Sequence, residues 1–121
     1  MRGLSGSLKK KSNRRRSRNN MWIALNDSFI SIVAHRERAD KLLVRARLPG
    51  DIEAVFPDAQ VFSVPGADYK YRAVVDRAEV GNAIADRIDD IEYDDFKSSV
   101  PDQKRHDAYL KIWSVMRGEQ H

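Results

Sequence analysis

The sequence predicts an α+β domain: an antiparallel sheet with helices on one face, a ferredoxin-like β-α-β-β-α core, an N-terminal hairpin before it and a C-terminal helix after it. Three observations carry this expectation. Short β-branched and aromatic runs crowd the first half, apolar positions take up helical spacing in the second, and Pro49-Gly50 and Pro65-Gly66 punctuate the runs between them.

Taken in order, Met21 to Leu25 is apolar, Asn26-Asp27-Ser28 is turn chemistry, and Phe29 to Ala34 is again β-branched and aromatic, which together read as a hairpin, with a single bulged strand as the alternative. His35 to Asp40 is a charged connector. From Leu42 to Leu48 the residues alternate, with Leu42, Val44, Ala46 and Leu48 on one face and Leu43, Arg45 and Arg47 on the other. After Pro49-Gly50, Ile52, Val55 and Phe56 recur at helical spacing until Pro57 stops them. Gln60–Val64 and Tyr69–Val75 flank the turn Pro65-Gly66-Ala67-Asp68 and read as a second hairpin. Asp76 with Glu79 three residues on resembles a capping box, and Val80, Ile84, Ile88 and Ile91 form the apolar stripe of the helix it opens. An acidic linker follows around Tyr93 and Phe96. Pro101 suits the first turn of a last helix, in which Tyr109, Ile112, Trp113 and Met116 share one face and Gly118 ends the run.

Charge is distributed unevenly. Of 22 Lys and Arg, eight lie in residues 1–20 with no acid among them: Arg2, Lys9, Lys10, Lys11, Arg14, Arg15, Arg16 and Arg18. The remaining 101 residues therefore hold 14 basic against all 18 acidic side chains, a net of −4. The first segment is rich in Gly, Ser and Asn and cannot bury enough apolar surface to offset the entropy of ordering. Residues 1–20 are thus expected to be a disordered basic arm and residues 21–118 a single domain. Such an arm fits phosphate gripping through counterion release, or an extension upstream of a chain that starts functionally at Met21; it lacks the apolar stretch of a secretion signal.

Several segments together resemble a family of short, uncharacterised bacterial proteins: Met21-Trp22-Ile23, Leu43-Val44-Arg45-Ala46-Arg47, Pro65-Gly66-Ala67-Asp68-Tyr69, Phe96-Lys97, Arg105-His106-Asp107-Ala108-Tyr109 and Ile112-Trp113-Ser114-Val115-Met116. The resemblance covers most of residues 21–116. Members of that family usually begin at the Met-Trp pair, which implies a boundary at Met21. The family has no established activity, so the resemblance implies no catalytic role for any residue.

Zero cysteines exclude a disulfide scaffold, a Cys-based zinc site and a thiol nucleophile, and no apolar run approaches the ~20 residues of a membrane span. His35, His106 and His121 lack metal-ligand spacing, the acidic run 89–95 lacks a calcium-loop pattern, and there is neither a nucleophile elbow nor a Gly-rich phosphate loop. No metal and no cofactor is expected, and a cytoplasmic location is.

Two constellations carry chemistry. Arg45 and Arg47 share one strand face and Lys70 and Arg72 share another. If those strands are neighbours, the four cations make a patch suited to phosphates or carboxylates, where the bland reading is a solvated sheet face. Tyr69 and Tyr71 are weaker candidates as base-stacking rings. His106 lies at the edge of an apolar helix face, where a histidine can serve as acid or base if Tyr93, Tyr109, Asp94 or Asp95 orients it; the bland reading is a boundary histidine. Trp22, Phe29, Phe62, Trp113 and Met116 are expected in the core. The expected function is that of a small non-enzymatic binding or regulatory module acting on a macromolecular partner, which is nucleic acid through the arm, another protein, or a second copy of the chain. The alternative is a small enzyme with His106 as acid/base and Arg45 and Arg47 holding an anionic substrate. A third reading makes the acidic stretch 86–95 a nucleic-acid mimic.

Overall fold

The computed structural model describes residues 20–120. The expected arm, with Lys9, Lys10, Lys11, Arg14, Arg15, Arg16 and Arg18, lies outside the described residues except for Asn20, which is already a strand residue.

In chain order the elements are β1 (Asn20–Ala24), β2 (Phe29–Ala34), β3 (Lys41–Ala46), α1 (Asp51–Val55), β4 (Phe62–Ser63), β5 (Tyr71–Asp76), α2 (Arg77–Asp89), a 3-10 turn (Lys97–Ser99) and α3 (Gln103–Gly118). The five strands form one antiparallel sheet in the order β1-β2-β3-β5-β4. β3 and β5 are hydrogen-bonded neighbours although α1 and β4 separate them in the chain, and their register sets Val44 opposite Ala73 and Arg45 opposite Arg72.

Strand alternation sorts the side chains. Ile30 and Ile32 of β2, Val44 and Ala46 of β3, and Ala73 and Val75 of β5 project to one face. Onto that face α1 brings Ile52, Val55 and Phe56, and α2 brings Val80, with Ala83 and Ile84 beside it. Phe56, Ile30, Ile52 and Val44 are the largest apolar side chains fully removed from solvent, so the core is aliphatic around a single phenyl ring.

The structure departs from the sequence expectations at several termini. β3 ends at Ala46 because the chain then bends through Leu48–Asp51, where Gly50 takes a left-handed φ of 89°; Leu48 is exposed. The strand expected over 60–64 is reduced to two residues, although Val64 N–H still donates to Lys70 O at 2.7 Å beside the turn that holds Gly66. The capping box is not formed: Asp76 is the N-cap of α2 without a side-chain cap bond, because its carboxylate pairs with Lys41 across β3 and β5. Asp102 caps α3 instead of Pro101 opening it, accepting from Arg105 N–H at 2.9 Å, and Gly118 closes the helix as its last residue.

The main correction concerns the large side chains assigned to the core. Trp22 is 67% exposed, Trp113 45%, and Phe62 and Met116 are exposed as well; of the five, only Phe29 is partly buried. The physical reason is the placement of the helices. α1 and α2 already cover one face of the sheet with short aliphatic groups, while α3 touches the other face only at a corner, through Tyr109 against Phe29 with ring centroids 6.4 Å apart. Ile88 and Ile91 likewise pass beyond the core and line a groove of about 350 Å³ with Met21 and Ile23. No helix among the described residues is long and apolar enough to cross a membrane.

Candidate functional site

The uncovered face of the sheet carries a single row that crosses all five strands. Its members, each directly opposite the next, are Trp22, Ser31, Arg45, Arg72 and Phe62. Arg45 and Arg72 therefore face each other across β3 and β5, an arrangement that costs stability unless other groups compensate.

Tyr69 supplies much of that compensation. Its ring, almost fully buried, lies under two guanidinium groups: Arg45 Cζ is 4.4 Å and Arg47 Cζ 4.0 Å from its centroid. Stacking on an aromatic face is electrostatically favourable for a guanidinium and leaves its hydrogen-bonding edge free. The Tyr69 carbonyl accepts from Arg72 Nε at 3.1 Å, and Arg45 Nη2 donates to Ser31 Oγ at 2.9 Å. One tyrosine thus gathers three arginines, two by its ring and one by its backbone. Charge neutralisation is thin: Asp68 Oδ1 is 4.0 Å from Arg72 Nη2, and Asp76, further along β5, is taken by Lys41. Arg45 Nε is buried and has no hydrogen-bond partner among the described residues.

The structure brings Arg45, Arg47 and Arg72 together and leaves Lys70 apart. Lys70 precedes β5, and its Nζ lies 5.6 Å from the ring of Tyr71, which packs against the core on the other face. Neither tyrosine offers a free ring, since Tyr69 is covered by arginines and Tyr71 packs inward. The exposed rings on the open face are Trp22 and Phe62, at the two ends of the row.

His106 has a different setting. Its Nδ1 is buried without a hydrogen-bond partner and lies 3.6 Å from Asp107 Oδ1. Three of the four groups named as possible orienting partners, Tyr109, Tyr93 and Asp95, are engaged elsewhere. Tyr109 Oη lies 3.0 Å from both Leu25 O and Ser28 O, and Tyr93 packs against Phe96. Asp95 accepts from Ser98 Oγ at 2.8 Å, a hydrogen bond that holds its carboxyl below the usual range. A largely apolar groove of about 380 Å³ between α3 and the start of α1 includes Phe29, Arg47, Leu48, Tyr109 and Ile112 in its lining, and His106 is not part of it.

Sequence reasoning missed the polar lock beside this groove. Asp51, the first residue of α1, accepts from Arg105 Nη2 at 2.8 Å, from Arg105 Nη1 at 3.1 Å and from Phe29 N–H at 3.0 Å. Both charged side chains are buried, and burial alone would lower the Arg105 guanidinium; its hydrogen bonds with Asp51, the Tyr109 hydroxyl and the Asp51 charge raise it above its ordinary value. Burial pushes the Tyr109 hydroxyl up, against the opposing pull of Arg105. These contacts tie α3 to α1 and to the β1–β2 turn. Among the described residues no three His, Asp or Glu side chains stand together in a way that could hold a metal ion.

No family model, no curated protein and no solved structure matches the chain.

Proposed function

We propose that this chain is a small, non-enzymatic, cytoplasmic binding module that engages an anionic macromolecular partner through the open face of its sheet, with the basic arm adding electrostatic affinity. The observation that carries this reading is the Tyr69-centred cluster of Arg45, Arg47 and Arg72, with Asp68 4.0 Å from Arg72, on the sheet face that α1 and α2 leave open. In the same reading β3-α1-β4-β5-α2 is a ferredoxin-like core in which β2 takes the outer place beside β3. The enzyme alternative has less support, because His106 stands outside the groove that holds Arg47 and its Nδ1 has no orienting partner.

The test is equilibrium binding of the full chain to polyanions at two salt concentrations, with Arg47→Ala and Arg72→Gln beside the parent protein. The reading expects affinity to fall in both variants and with salt, by counterion release. Unchanged affinity in both variants would remove the sheet face from the account.

A second reading, association with another copy, rests on α3. Ile112, Trp113 and Met116 form an exposed stripe, with Lys97 Nζ 4.8 Å from the Trp113 ring. Sedimentation of the full chain and of Trp113→Asp decides it: a dimer that the substitution dissolves supports the stripe, and a monomer at all concentrations removes it.

A further inference from the structure

We infer that the anionic partner of the open face is single-stranded nucleic acid, laid across the strands so that bases stack on Trp22 and Phe62 while the Arg45–Arg72 pair takes the backbone between them. This inference rests on the reading of that face as an anion-binding surface and adds the chemical class of the anion.

Four features of the face select it. The two exposed aromatic rings stand at the ends of the same cross-strand row as the two opposed arginines. Across the four strand gaps of this sheet the row spans about 19 Å at the usual ~4.8 Å interstrand spacing, room for roughly three nucleotides. A sheet face carrying two exposed rings and part-exposed arginines matches the recurring chemistry of single-strand recognition, in which rings take base faces and cations take phosphates. A duplex keeps its base faces stacked inside and cannot present them to Trp22 or Phe62. An acidic peptide would satisfy the arginines and leave both rings without a use.

Charge complementarity points the same way. Within the row the two cations face no carboxylate, Asp68 stands 4.0 Å from Arg72 at its margin, and Asp76 is neutralised by Lys41, while Asp58 and Glu79 lie beyond the Phe62 end. The acidic stretch 86–95 begins in α2, which packs on the opposite face of the sheet, and leads into Phe96, whose ring stacks on Tyr109 at one corner of this face. The basic residues of the arm end at Arg18, four residues before Trp22 in the chain.

The experiment uses the full chain with Lys9, Lys10, Lys11, Arg14, Arg15, Arg16 and Arg18 changed to Gln, so that the arm does not mask the face. The probes are a labelled dT12 oligonucleotide, its duplex with dA12, polyphosphate and polyglutamate. Trp22→Ala and Phe62→Ala are each expected to weaken dT12 binding about tenfold, the low-to-middle range for loss of one stacked base, and to leave polyphosphate binding unchanged. In the otherwise intact Trp113→Phe protein, where Trp22 is the remaining tryptophan, dT12 is expected to quench emission and polyphosphate is not. Unchanged dT12 affinity in both ring variants with no quenching, and duplex or polyphosphate bound as tightly as dT12, would overturn the inference and leave the broader anion-binding reading standing. Preference for polyglutamate over dT12 would overturn it in favour of a protein partner. Absence of binding to every probe would overturn both.

Discussion

Replacing Arg105 by alanine removes one half of an ion pair that is almost entirely out of water. The Asp51 side chain is 5% exposed and that of Arg105 11%, and of the three hydrogen bonds that reach the Asp51 carboxylate only the one from Phe29 N–H survives the change. Breaking a buried pair on one side costs about 3–5 kcal/mol, because the remaining charge is left without its counter-charge. A domain of this size has a total stability of about 5–15 kcal/mol. The substitution therefore consumes a third or more of the stability at the middle of both ranges, a fall in Tm of at least about 12 °C at roughly 4 °C per kcal/mol. Urea unfolding of the full chain followed by circular dichroism measures it directly. Asp51→Asn with Arg105→Met keeps much of the side-chain volume and removes both charges, so the double variant should recover part of the loss. A loss below about 1 kcal/mol in Arg105→Ala, as for an exposed pair, would refute the argument. So would a double variant whose loss equals the sum of the two single ones, which would show that Asp51 and Arg105 do not act together.

Further outcomes follow from the packing, the hydroxyl of Tyr109 and two glycines. Phe56→Ala should cost about 3–5 kcal/mol because the ring is wholly enclosed, whereas Trp113→Ala, although it removes a larger side chain, should cost under about 1 kcal/mol; equal losses in urea unfolding would contradict the assignment of the core. The raised Tyr109 hydroxyl favours the folded state fully below its unfolded pKa of about 10, and that contribution is lost as pH rises through the higher folded value, so above about pH 10 the wild type should lose stability more steeply than Tyr109→Phe; parallel profiles would remove the role of the hydroxyl. Gly50→Ala should cost about 1–2 kcal/mol, since φ is 89° and nothing lies within 4 Å of the added carbon, leaving backbone conformation as the whole effect. Gly81→Ala, in an exposed turn of α2 with equally open space, should instead stabilise by about 0.5–1 kcal/mol, and thermal melts that give both substitutions the same sign would contradict this pair.

What was legible in the sequence is what depends on local period. Alternation at Leu42, Val44 and Ala46 marked the inward side of β3, and the spacing of Val80 and Ile84 marked the side of α2 that meets the sheet. Hydrophobicity alone could not say whether Trp22, Phe62 or Trp113 would be covered, because that depends on where α3 docks. A buried polar pair settles the docking, Asp51 and Arg105, 54 positions apart, and such pairs leave no periodic trace. The site behaved similarly. Arg45 and Arg47 were visible as alternating charges on one strand, but their meeting with Arg72 required β3 and β5 to become neighbours across α1 and β4. Tyr69 escaped notice as the organiser of the cluster because it lies just before β5, where strand alternation does not say which way a side chain points.

The two faces of the sheet divide the energetic tasks. On the covered face, Ile30, Val44, Ala46 and Ala73 meet α1 and α2 with no polar atom to satisfy, and the gain from burial is non-directional. On the open face, Arg45 and Arg72 oppose each other and Arg45 Nε lacks an acceptor, so that face carries an electrostatic cost in the free protein. Ser31 and Tyr69 hold the side chains in place without neutralising them, the first through its hydroxyl and the second through its ring and carbonyl. On the proposed reading, an anion placed beside the arginines relieves the repulsion between them, so part of its binding energy comes from a cost that folding has already built in. That relief depends on charge and position and not on apolar area. The open face can therefore combine rigid, preorganised cations with exposed rings at its ends, while the covered face alone supplies the apolar burial that keeps the domain folded.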